Sequence, residues 1–354
     1  MRKITQLIAL LQDSLAFLKL KFYEHPKNEK ALLVSLENPQ LYHRFTYLML
    51  KFYELAGYKI FYPMDFSKFR NLRNKDRYLG LIMRENKFLA INKKNLPEKF
   101  IELKDEMFSP DYFHSYFEKE NYEENVFHIP MSFHPFMYHN AIWNLEVNLQ
   151  KNRINSIFCY GNFDSKAYLA IKKTNFKVKT RTDLLQFFKK KKQFLSIKNK
   201  EEITLNKENL NEKYIFALKE NYPIKMEDIR ELLTYFNFYL CCPGVVMPLC
   251  HNVIEAMSVG TIPLIERQYA EVMYPNLENN VNAIVFENLE HLTEILNEIF
   301  KMEEDKISEM RQNVLEYYQN FLSPESVVIN INDSIEKKKL IYLQAEHRSV
   351  KFNK

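Results

Sequence analysis

The sequence predicts an α/β protein built of two Rossmann-like lobes with a cleft between them. Three observations carry this expectation. A strand–loop–helix–strand pattern runs from Phe236 to Ile265, a second βαβ pattern opens the chain between Ala31 and Tyr62, and 354 residues suffice for two domains, each with its own core. The expected boundaries are a first lobe over residues 1–140, a second over 141–335 and a basic tail over 336–354. Hydrophobic residues at 46% and charged residues at 27% describe a folded, globular chain.

The stretch from Phe236 to Ile265 is the most informative. Phe236 to Cys242 is aromatic and apolar enough for a buried strand, and Pro243-Gly244 stops it because proline supplies no ladder donor. A helix then starts near Cys250 or His251. Its spacing turns Val253, Ile254 and Met257 toward a core, while His251 and Glu255, four apart, share another face. Gly260 is placed to end the helix, and Thr261 to Ile265 forms the next strand. In a parallel sheet the 243–252 loop would emerge at the carboxyl edge, where ligands bind. Unpaired backbone donors at Asn252 and Val253 would favour an anion there, such as a phosphate.

This arrangement resembles the donor-binding half of GT-B glycosyltransferases, of the exostosin-like and bacterial surface-glycan type. In that family a Pro-Gly loop leads into a helix carrying Glu-Ala-Met, followed by Gly-x-Ile-Pro. Here these are Pro243, Gly244, Glu255, Ala256, Met257, Gly260, Ile262 and Pro263. The resemblance implies that Glu255 holds the ribose of a nucleotide-sugar and that Gly244, His251 and Asn252 line the phosphate end. It further implies that Gly161 and Asn162 contact the donor and that Lys166 or Arg181 neutralises the diphosphate. Many relatives carry a second glutamate seven or eight residues before the first. Met247 and Pro248 occupy that region here, so the resemblance does not assign a retaining mechanism. It covers about residues 155–325, including the Asn282-Ala283-Ile284 run; the first half matches only in architecture.

Composition excludes several other classes. No Gly-x-Gly-x-x-Gly or Walker loop occurs among the five glycines, which disfavours dehydrogenases and P-loop ATPases. The four cysteines, Cys159, Cys241, Cys242 and Cys250, lack C-x-x-C spacing and read as buried free thiols of a reducing cytoplasm. His128, His134 and His139 do not share one helix face, so no metal site is expected. A net charge of +5 is too mild to indicate nucleic acid, and the Lys189–Lys192 run reads as a solvated helix face. With no signal peptide and no spanning segment evident, a cytoplasmic location is expected.

In chain order, residues 4–23 carry Ile4, Leu7, Ile8, Leu11, Leu15, Leu18 and Phe22 at helical spacing, with Lys3, Lys19 and Lys21 at the ends. This amphipathic helix either docks on the protein or lies on the inner membrane face. Ala31–Leu36, a helix from Gln40 to Ala56, and Tyr58–Tyr62 form the βαβ opening, with Gly57 as cap. The loops holding Glu37 and Asp65 then emerge at the carboxyl edge, and either carboxylate could act as base toward an acceptor hydroxyl. Tyr78–Met83 and Phe88–Ile91 read as short strands. Phe108–Glu124 suggests no chemistry. The proline-rich segment Asn125–Tyr138 is expected to cross between lobes, and the resemblance to surface-glycan glycosyltransferases implies that His134 faces the cleft. Ile157–Tyr160 is a strand, Gly161-Asn162 a turn, and Asp164 the cap of a helix through Lys173.

The expected activity is transfer of a sugar from a nucleotide-sugar to an acceptor oligosaccharide or glycolipid in bacterial surface polysaccharide synthesis. It would need no cofactor and no metal. The alternative is a noncatalytic nucleotide- or glycan-binding partner in an assembly complex.

Overall fold

The computed structural model describes residues 2–23, 28–42, 44–85, 88–109, 125–174, 176–205, 207–246 and 248–343. The chain divides into two compact units, Met1–Ile129 with Pro324–Ser349, and Pro130–Ser323. The first unit is therefore discontinuous in sequence, where boundaries near residues 140 and 335 were expected.

In the first unit β1 (Ala31–Ser35), β2 (Lys59–Phe61), β3 (Leu89–Ala90) and β4 (Ile101–Lys104) form a parallel sheet in the order β3-β2-β1-β4. The apolar run at β1 is buried on both faces, as a central parallel strand requires. The helix Arg44–Leu55 follows β1, and Gly57, at φ +84°, makes the turn into β2. A second, three-stranded parallel sheet contains β5 (Phe108–Ser109), β6 (Val126–His128) and β13 (Leu340–Tyr342), with β13 in the middle.

The helix Pro324–Glu336 returns to this unit. Tyr53 donates its hydroxyl to Asn332 at 2.7 Å, and Asn332 donates to the Tyr58 hydroxyl at 3.1 Å. Residues 336–343 of the expected tail thus include a strand, and 344–354 lie outside the described residues. So do 110–124, most of the aromatic segment that suggested no chemistry.

One element differs in kind. Leu79–Arg84 is helical, not extended, because the Asp76 carboxylate accepts from the backbone N–H of Tyr78 and Leu79 at 2.8 and 2.9 Å and nucleates a turn.

In the second unit six parallel strands are β7 (Ile154–Gly161), β8 (Phe194–Ser196), β9 (Tyr214–Leu218), β10 (Phe236–Leu240), β11 (Ile262–Glu266) and β12 (Ile284–Phe286). Their order is β12-β11-β10-β7-β9-β8. β9, β10 and β11 are buried throughout, and Phe158 stacks on Phe236 at 4.6 Å across β7 and β10. The chain builds one side of β7 first, then crosses to build the other. The reversal falls between β7 and β10, the position at which an open α/β sheet offers a ligand crevice at its carboxyl edge.

Candidate functional site

β7 ends at Gly161 and β10 at Leu240, side by side in the sheet, so the turn after Gly161 and the loop 241–250 leave it together. Arg181 joins them. It opens the helix Arg181–Lys189, whose start is held by a capping box between Thr180 and Asp183. Its side chain turns inward and is 4% exposed. The guanidinium donates from Nε to the Pro243 carbonyl at 2.8 Å and from Nη2 to Cys250 Sγ at 3.0 Å, and lies over the Tyr168 ring at 4.5 Å. A Cβ at position 161 would overlap Nη1, which explains the glycine.

The Cys250 backbone N–H donates to the Tyr269 hydroxyl at 2.8 Å, and its thiol lies 3.1 Å from Asn252 Oδ1 and 3.9 Å from His251 Nδ1. Burial pushes the Cys250 thiol up, but the Arg181 guanidinium and His251 outweigh it and bring the pKa down to about 5. Burial opposes the charges of Arg181 and His251 as well; proximity to Cys250 raises both, and Glu255 adds to the effect on His251.

Asn252 is committed to the scaffold. Its amide donates to the Tyr160 carbonyl at 3.0 Å and to the Tyr239 hydroxyl at 2.9 Å, stitching the helix His251–Met257 to β7 and β10. Glu255 lies one turn after His251, 5% exposed, and its carboxylate makes no hydrogen bond among the described residues. Burial raises its pKa to about 7. The charges of His251 and Arg181 work against that rise.

The structure brings Gly161, Arg181, Gly244, His251, Asn252 and Glu255 to this edge. The Gly244 N–H is taken by the Pro248 carbonyl at 3.0 Å. Asn162 lies on the exposed turn after β7 and Lys166 in the short helix Ser165–Tyr168 that follows; Asn162 Oδ1 accepts from the Asp164 N–H at 3.0 Å, and the Lys166 ammonium makes no ion pair among the described residues. His134 joins the group: its ring meets that of His251 edge to face at 5.9 Å, while Nδ1 accepts from the Phe136 N–H at 3.3 Å and caps a short helix.

Glu37 and Asp65 belong to the other unit. Asp65 is the N-cap of the helix Phe66–Lys75, accepting from the Lys68 N–H at 2.7 Å. Glu37 is exposed and donates its backbone N–H to Asp105 at 2.6 Å.

All four cysteines are free and buried. Sequence spacing did not reveal that Cys159 and Cys242 lie 3.6 Å apart beneath the site, or that Cys250 lies against the Arg181 guanidinium. Glu266 is a further missed group: it closes β11, accepts from the Lys179 N–H at 2.6 Å, and is pushed up to about 7 by burial. Among the described residues no group of three His, Cys, Asp or Glu side chains is arranged to hold a metal ion.

No family model and no curated protein matches the chain. Among solved structures it is similar to a glycosyltransferase from Rickettsia africae, at 11% identity over 88% of this chain and 99% of that one, with a TM-score of 0.40. It is also similar to WaaG, a glycosyltransferase involved in lipopolysaccharide biosynthesis, at 11% identity over 85% and 99%, TM-score 0.35. Sucrose-phosphate synthase from Thermosynechococcus elongatus matches at 12% identity over 88% and 99%, TM-score 0.39. At these values the likeness carries no argument for function, which must come from the residues themselves.

Proposed function

We propose that this protein is a glycosyltransferase that moves a sugar from a nucleoside-diphosphate donor to an acceptor glycan of a bacterial surface polysaccharide, without a metal ion. The observation that carries the reading is Glu255. It combines a buried carboxylate, near enough to His251 to feel its charge but without a hydrogen bond among the described residues, with a position one turn into the helix that follows the loop at the β7–β10 reversal. A ribose would offer it two hydroxyl donors. That would satisfy the carboxylate and favour its ionised form.

The other groups fit donor binding in two ways. Arg181 is a buried cation that sets the loop Pro243–Cys250 in place, and Lys166 is a solvent-facing cation on the short helix after β7, suited to the diphosphate that departs. Of the candidate catalytic residues Glu37, Asp65 and His134, His134 has the best support as the base, since its ring lies against His251; it would take the proton of the acceptor hydroxyl.

A panel of UDP, GDP, ADP and CDP tested by thermal unfolding addresses the reading directly. A nucleotide at a hundred times its Kd adds about 2.7 kcal/mol of stability. If none shifts the transition, or if Glu255→Gln retains full affinity, the reading fails. The alternative of a noncatalytic binding partner draws support from Asn252 and Gly244, whose polar groups are engaged within the protein. Saturable nucleotide binding with no transfer or donor hydrolysis across donors and acceptors would favour it.

A further inference from the structure

The helix Arg2–Phe22 has two different apolar sides. Phe17 packs edge-on against Phe66 and Phe69 at 5.5 and 5.4 Å. On the same side Asp13, 5% exposed, pairs with Arg73 at 3.1 Å and Arg70 at 3.3 Å and accepts from Asn74 at 2.9 Å. This side holds the helix to the first unit. The opposite side carries Ile4, Leu7, Ile8, Leu11, Leu15, Leu18 and Phe22, each between 45% and 74% exposed. The helix is about 31 Å long at 1.5 Å per residue, so these seven side chains form a continuous stripe along it. Contiguous exposed patches of this extent mark an interaction surface.

We infer that this outer face seats on an anionic lipid surface. Charge decides between lipid and a second copy of the chain. The spacing of Ile4, Ile8, Leu11, Leu15, Leu18 and Phe22 alternates four and three, as in a coiled-coil seam, which would suit a second helix. However, Arg2 and Lys3 open the helix, and exposed Lys19 and Lys21 close it. Two copies would set cations against cations whether they ran parallel or antiparallel, a repulsive pairing either way.

The only carboxylate of the helix, Asp13, is turned inward and neutralised by Arg70 and Arg73. The exposed side is thus apolar along its length, with the exposed cations Lys19 and Lys21 at its C-terminal end, the pattern of a helix lying in the plane of an anionic interface. Among the described residues no helix is long and apolar enough to cross a membrane, so the contact is peripheral. The inference is independent of the sugar-transfer reading, since none of its residues belongs to the candidate site.

Sedimentation of the full-length protein with vesicles tests it. Binding is expected to vesicles of equal parts phosphatidylglycerol and phosphatidylcholine, to weaken about tenfold on phosphatidylcholine alone, and to fall with rising salt. Leu11→Glu with Leu15→Glu is expected to reduce binding at least about tenfold, with nucleotide-induced stabilisation unchanged. Lys19→Glu with Lys21→Glu should weaken only the anionic-lipid component. The inference is overturned if the protein ignores anionic vesicles at low salt, or if the Leu11/Leu15 variant binds as wild type. It is equally overturned if light scattering shows a lipid-free dimer that this variant converts to monomer, which would give the face to a second copy. Circular dichroism and unfolding midpoints establish that the variants are folded.

Discussion

The side chain of Arg181 fills the space that any side chain at position 161 would need. Because Arg181 is fixed at its other nitrogens by Pro243 and Cys250, it cannot move aside cheaply, and Gly161, Arg181 and the 243–250 loop behave as one assembly. Gly161→Ala is therefore expected to cost about 1–3 kcal/mol of stability, the usual range for overpacking a tight site. The denaturant midpoint measures this. Wild-type stability in the variant would show that the assembly yields more easily than its geometry implies.

Cys250 supplies a spectroscopic handle on the same assembly. Burial alone would keep its thiol protonated, as it does for Cys159 and Cys241, both pushed up. Arg181 reverses this for Cys250. The ultraviolet absorbance of thiolate should rise through about pH 5 in the native protein and lose that step in Cys250→Ser. In Arg181→Met the step should move up by several pH units, or the interaction with Arg181 is not its cause. The associated stability is present above the ordinary thiol pKa of 9 and is lost as pH falls through 5.

Glu255 titrates with the opposite sign. Its pKa is raised from 4.5 to about 7, so ionisation is harder in the folded state and stability falls as pH rises across that window. The shift corresponds to about 3 kcal/mol as an upper figure. Glu255→Gln should stabilise the protein more at about pH 8 than at about pH 5 while weakening nucleotide binding by about 1–3 kcal/mol. Equal unfolding midpoints for wild type and variant at both pH values would contradict the burial of this carboxylate.

Asp65 is a helix cap, which allows cap and base to be separated. Asparagine caps as well as aspartate, whereas alanine does not. Asp65→Asn should retain stability and Asp65→Ala should lose about 1 kcal/mol. Turnover should survive both if His134 is the base. Loss of turnover in the well-folded asparagine variant would transfer that role to Asp65.

The central sheet of the second unit was legible from sequence because its signals are local: apolar runs long enough to be buried strands, Pro243-Gly244 as a stop, Gly260 at φ +69° after the helix. The i,i+4 relation of His251 and Glu255 likewise follows from helical geometry alone. The Tyr78–Met83 run reads as a strand in sequence because a short apolar run does not distinguish the two periods, and the carboxylate of Asp76 decides for the helix Leu79–Arg84. Asn252 shows a different limit. Its place at the start of the helix was readable, but the direction of its amide depends on Tyr160 and Tyr239, residues 92 and 13 positions away.

By itself, the sequence determined the alternation of buried strands and covering helices, the glycine and proline breaks between them, and the stripe along Arg2–Phe22. These depend on residues within a few positions of one another. Only the tertiary structure decided that Pro324–Glu336 and Leu340–Tyr342 belong with the first unit, that Arg181 points inward onto Cys250, and that Glu255 is buried. Each of those depends on groups far apart in the chain, whose desolvation and pairing are set only when the sheet order is complete.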